Sequence, residues 1–148
     1  MSRKGALSKR FEITDEAGSL AFEARGRLGA VTLHDPVGLQ VAAVTKRAFS
    51  GTRQIDVGGE QVAQVRHTGI LGDRYQIDTS LGVLTARGHL FSGNFSLTRD
   101  GTLIAQMARQ FSVREKFAVD ISDDENAPFI LAVMLAIEAI HDRRSRGQ

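Results

Sequence analysis

The stretch Ala127 to His141, APFILAVMLAIEAIH, decides how the rest of the chain has to be arranged. From Ala127 to Ile137 no side chain is charged or polar, and Glu138 is the first interruption before Ala139 and Ile140 resume the run. Asp123, Asp124, Glu125 and Asn126 stand just before it and Pro128 falls in its first turn. Capping residues, early acids and a first-turn proline mark the start of a helix. Arg143, Arg144 and Arg146 follow, where cations suit the negative pole of a helix. The expectation is one helix over about 127–143. Because apolar side chains fall on every face, it belongs either in a membrane or inside a core. The apolar run is shorter than the ~18 residues that a span requires. The reading is a buried central helix, and the other residues must enclose it.

Length and composition are consistent with that. A chain of 148 residues with 42% hydrophobic and 24% charged side chains fits a single globular domain with a sizeable core. There is no cysteine, which excludes a disulfide framework, thiolate catalysis and a metal–thiolate site. The opening MSRKGALSKR is basic but has no apolar segment of the kind a secretory signal carries. The expected location is cytoplasmic, with a peripheral contact at the membrane. Residues 1–10 hold Arg3, Lys4, Lys9 and Arg10 and read as a mobile basic arm, with 11–148 as the domain. Outside the arm and the last eleven residues, the body carries 12 basic and 15 acidic side chains, so the net charge of +2 belongs to the tails. A net acidic body argues against nucleic acid as the partner.

Between arm and helix one pattern repeats. Short runs that alternate apolar and polar residues meet at glycine-bearing turns: Phe11 to Ile13 and Leu20 to Phe22 around Asp15–Gly18, then Leu33 and Leu39 to Val44 around His34–Gly38. Ile55 to Val57 and Val62 to Val65 flank Gly58–Gly59, and Tyr75 to Ile77 and Val83 flank Asp78–Gly82. Phe95 to Leu97 and Leu103 to Met107 flank Thr98–Gly101, and Phe117 to Ile121 forms a last strand before the helix. Period-two alternation gives each strand one buried face. Asp-Gly and Gly-Gly supply the positive φ that hairpin turns need. The pattern predicts a mainly β fold: about twelve strands in an antiparallel closed barrel of hairpin repeats around the central apolar C-terminal helix. Closure removes exposed sheet edges, and an apolar helix about 10 Å across fills the lumen. A sandwich with the helix across one open end is the alternative.

Three groups of residues carry a family resemblance: Phe11-x-Ile13-x-Asp15-x-x-Gly18, Phe95 to Leu97 with Gly101 to Ala105, and Phe117-x-Val119-x-Ile121 through Asp124 and Glu125 into Ile130–Ile137. Together they resemble the LURP-one-related proteins, which belong with the tubby C-terminal domain and the phospholipid scramblases. The resemblance implies a twelve-stranded barrel around a C-terminal helix, and a binding or scaffold role without catalysis. Tubby domains hold phosphoinositide headgroups with clustered Lys and Arg. The nearest candidates here are Arg25 and Arg27, or Lys46, Arg47 and Arg53, although the body has only Lys46 and Lys116 as lysines. Scramblases carry an acidic segment before the terminal helix that is thought to bind calcium. Asp120, Asp123, Asp124 and Glu125 occupy that place, but without the ligand order of an EF-hand, so helix capping is the simpler role.

Other chemistry is scarce. His34, His67, His89 and His141 are far apart, and none pairs at metal-ligand spacing, so they read as surface or strand-end histidines and no metal or cofactor is expected. There is no nucleophile elbow and no P-loop. Phe49, Phe91, Phe95, Phe111 and Phe117 read as core rather than as a base-stacking platform. The leading expectation is a non-enzymatic binding or scaffold domain that touches an anionic phospholipid surface or another protein. A lipid or acyl-chain carrier, or a scramblase-like protein, is the alternative, and a hydrolase a more distant third.

Overall fold

The computed structural model describes residues 2–4, 10–15, 17–27, 30–47, 51–68, 72–89, 94–107 and 119–146. Twelve strands precede one helix: β1 (Ser2–Lys4), β2 (Arg10–Thr14), β3 (Leu20–Arg27), β4 (Ala30–His34), β5 (Gln40–Lys46), β6 (Arg53–Val57), β7 (Glu60–Thr68), β8 (Arg74–Thr79), β9 (Gly82–Arg87), β10 (Ser96–Arg99), β11 (Thr102–Met107), β12 (Val119–Ile121) and α1 (Ala127–Arg146). All twelve strands form one antiparallel sheet in strict chain order, each paired with its sequence neighbours. One sheet rather than two rules out the sandwich. Among the described residues the ladder runs from β1 to β12, with no pairing between those two.

The turns form where the local chemistry demands them. In both of the first two hairpins an aspartate carboxylate accepts two backbone N–H groups, Ala17 and Ser19 at Asp15, then Val37 and Leu39 at Asp35, all at 2.9–3.0 Å. The chain reverses through Gly18 and Gly38 at positive φ. Gly58–Gly59 and Asp100–Gly101 are two-residue turns with both residues at positive φ, which matches the right-handed twist of the flanking strands.

Alternate residues face the core: Ala42 and Val44, Ile55, Ala63 and Val65, Tyr75 and Ile77, Leu84 and Ala86 are all buried. The helix occupies the space that they face. Every residue from Ile130 to Ile137 is buried, and eight successive positions cover all faces of a helix. α1 packs against the sheet, with β4 to β7 close against it. Its start is capped by Asn126, whose side-chain oxygen accepts the Phe129 N–H at 3.0 Å. The helix runs about one turn beyond the expected end, to Arg146. It is not long and apolar enough to cross a membrane.

The N-terminus differs from the expectation of a mobile arm. Ser2–Lys4 is strand β1, with Lys4 opposite Arg10 and Ser2 opposite Glu12. β1 pairs the backbone groups along the outer side of β2. Lys9 lies outside the described residues, as do Phe49, Phe91, Phe111 and Phe117.

Candidate functional site

A strictly alternating sheet has two ends. At one end sit the tight turns and the start of α1. At the other, longer connections leave β5, β7, β9 and β11, and α1 finishes there. The basic side chains gather at this second end. Like charges stand directly opposite one another in the ladder at Arg10 and Arg25, at Lys46 and Arg53, and at Arg74 and Arg87. Such pairs destabilise a sheet, so the fold tolerates them at a cost.

Arg53 is the sharpest case. It occupies an inward-facing position of β6, in step with Ile55, and is only 5% exposed. Its Nε and Nη1 are buried without a hydrogen-bond partner. Burial, and then the nearby charge of Arg143, pull its pKa below the ordinary arginine value. Among the described residues no acid is paired with it, and a buried cation without a counter-charge is costly. Next to it in sequence, Gly51 and Thr52 line a half-open pocket of about 580 Å³, together with Arg66, His67, Ile140, Arg143 and Arg144. The negative pole of α1 also lies at this end, so the arginines, not the helix dipole, would attract an anion.

Of the sequence candidates, Lys46, Arg47 and Arg53 come together at the pocket end, with Lys46 and Arg47 exposed. Arg25 does not join them; its Nε donates to Glu23 on the outer face. Arg3, Lys4, Arg10 and Arg27 lie in β1, β2 and β3. Arg66, His67, Arg143 and Arg144 complete the basic group and were not legible as partners in the sequence. The calcium candidates are not assembled. Asp120, Asp123 and Asp124 are exposed, and Glu125 is held by the Arg99 guanidinium.

The histidines require a correction. His89 and His141 stack with ring centroids 3.7 Å apart and planes 22° from parallel. His89 Nδ1 lies 3.3 Å from Glu138 Oε1, and its Nε2 lies 3.9 Å from Asp73 Oδ2. His141 Nδ1 lies 3.8 Å from Asp73 Oδ1. One ligand atom from each of Asp73, His89 and His141 falls within 4.8 Å of the others, the geometry of a set able to hold a metal ion. The hydrogen bond to Glu138 chiefly, with the negative charges of Glu138, Asp73 and Asp142, raises the His89 pKa against the opposing effect of burial. Beside this group, burial and Asp73 push the Tyr75 phenol up to about 12, against the opposing effect of Arg144. Spacing along the chain misses the cluster because His89 and Glu138 are 49 positions apart. The available signal was Glu138 and His141, the only polar residues in an otherwise apolar helical stretch, three apart and so on one face.

Glycine at 88 makes the arrangement possible. Its φ is +77°, its N–H donates to the Asp73 carbonyl at 2.7 Å, and a Cβ there would lie 2.2 Å from the Asn94 side chain. The close approach sets His89 beside Asp73.

A family described as LURP-one-related matches residues 1–138. A crystal structure of a protein from Arabidopsis thaliana superposes with a TM-score of 0.70 at 18% identity, covering 89% of this chain and 85% of that one. No curated protein matches the chain.

Proposed function

The chain belongs to the LURP-one-related family, and on that premise we propose that it is a non-enzymatic binding domain whose basic end takes a phosphate-bearing anion. The observation that carries this reading is the pocket lined by Arg66, Arg143 and Arg144, with the buried Arg53 guanidinium, two of whose nitrogens lack partners, next in sequence to the lining residue Thr52. A bound phosphate would accept from the pocket arginines and offset the positive charge that Arg53 adds behind them. The same chemistry is available from a soluble phosphorylated compound or from an anionic phospholipid headgroup, where each basic residue near the surface adds about 1 kcal/mol.

This reading takes the sheet as a barrel closed around α1, since a helix buried on every side needs cover on every side. It also disfavours an acyl-chain carrier, because Ile130, Val133 and Ile137 fill the interior where a chain would lie. Two titrations test it: inorganic phosphate followed by calorimetry, and phosphatidylglycerol–phosphatidylcholine vesicles followed by co-sedimentation. Binding in either arm that Arg53→Met abolishes supports the site, and the arm that responds identifies the source. Binding equal in wild type and Arg53→Met, or none in either arm, overturns it. Deleting residues 1–10 is a poor test, because it removes β1 and opens the edge of β2.

A further inference from the structure

We propose that Asp73, His89 and His141 form a binding site for one divalent first-row transition metal ion, with zinc as the best fit. The donors are two imidazoles and a carboxylate, a combination that suits zinc, iron or nickel and not calcium, which prefers oxygen alone. Ligand atoms about 2.0–2.1 Å from a tetrahedral zinc lie roughly 3.3 Å from one another. Asp73 Oδ2 to His89 Nε2 at 3.9 Å and Asp73 Oδ1 to His141 Nδ1 at 3.8 Å are about half an ångström wider. Both distances are too long for hydrogen bonds; coordination requires the Asp73 carboxylate to move inward and the stacked His89 and His141 rings to splay apart.

The surroundings match a metal site in a second way. Glu138 Oε1 faces His89 Nδ1 at 3.3 Å, and Nε2 of the same ring is turned toward Asp73. A carboxylate behind a ligating imidazole is the usual support of a histidine–metal bond. Glu138 is a positioning residue in this scheme. Asp73, Glu138 and the nearby Asp142 place negative charge around the imidazoles, which a divalent ion would offset. The negative pole at the C-terminal end of α1, where His141 lies, favours a cation as well. Three protein donors leave one tetrahedral position open.

The site is independent of the phosphate reading, because it uses none of the arginines that carry it. The test is calorimetric titration of zinc into chelator-treated, tag-free full-length protein, with cobalt(II) absorption as a second readout of the ligand field. The expected result is one ion per chain, a raised Tm and a cobalt spectrum with nitrogen ligands. His141→Gln and His89→Gln each abolish it while circular dichroism reports the native fold. Glu138→Gln retains the ion with affinity lowered about 10–100-fold. His34 and His67 remain in every variant, so undiminished binding by the His89→Gln, His141→Gln double variant overturns the proposal. So does the absence of saturable zinc binding by the folded wild-type protein.

Discussion

The two ends of the sheet are built on opposite principles. At the turn end, each reversal is closed by residues adjacent in sequence, through Asp15, Asp35, Gly58–Gly59 and Asp100–Gly101. Asp123 and Asp124 add further acidic charge there, and Val37 and Leu81 stand almost fully exposed at hairpin tips. At the helix-exit end, chemistry is assembled from strands and helix that are distant in sequence. Like charges face one another, polar groups are buried without partners, and a pocket opens. One end is optimised for local stability. The other carries strain of the kind that binding sites accumulate, since groups arranged for a ligand are poorly satisfied without it.

Four measurements break or sharpen that contrast. The largest effect lies between the ends: Ile137→Asp puts an unpaired carboxylate in the buried helix and is expected to cost on the order of 5 kcal/mol, near the whole stability of a domain. Loss of a cooperative thermal transition by circular dichroism checks it, and a folded variant would show the helix to be an appendage. Next, Arg53→Met at the strained end should raise stability by about 1–2 kcal/mol in chemical denaturation, since it removes a buried, unpaired cation. A loss of stability instead would mean the guanidinium is structurally supported. At the turn end, Asp35→Ala removes two backbone hydrogen bonds at an exposed site and should cost about 1 kcal/mol while leaving zinc and phosphate titrations unchanged.

The smallest effect is the pH dependence of the histidine group without metal. The His89 pKa is raised in the folded state. Its stabilising contribution is therefore complete below the unfolded value of about 6.5 and is lost as pH rises through the folded value. Melting temperatures of chelator-treated wild type and His89→Gln should differ in their pH slope from about pH 6.5 upward. Parallel slopes would mean that His89 gains nothing from Glu138.

The contrast between the ends also explains what could be read from sequence. Turns at Asp35–Gly38 or Gly58–Gly59 are legible because the aspartate or the glycine pair acts on backbone a few residues away. Helix α1 is legible because its apolar run is continuous. Strand β1 was missed because Ser2, Arg3 and Lys4 have no apolar alternation; what places them is backbone pairing with β2. The basic end was hidden by averaging. Antiparallel strands bring Lys46 and Arg53 together from a body that is net acidic, and only the register separates the two signs. The histidine cluster depends on Gly88 holding His89 against Asp73 and on α1 bringing Glu138 and His141 alongside, none of which leaves a local trace.

The strict neighbour-to-neighbour strand order has a consequence for biosynthesis. Each hairpin can form as soon as it leaves the ribosome, since its partner is the segment just made. Yet the helix that packs against the sheet comes after every strand. At about 5–20 residues per second, the interval between the end of β11 and the last turn of α1 lasts on the order of seconds. During it the nascent sheet has an apolar inner face, lined by side chains such as Leu33, Ile55 and Ile77, and nothing to cover it. Chaperone dependence should therefore track codon speed across residues 108–146 rather than across the strands.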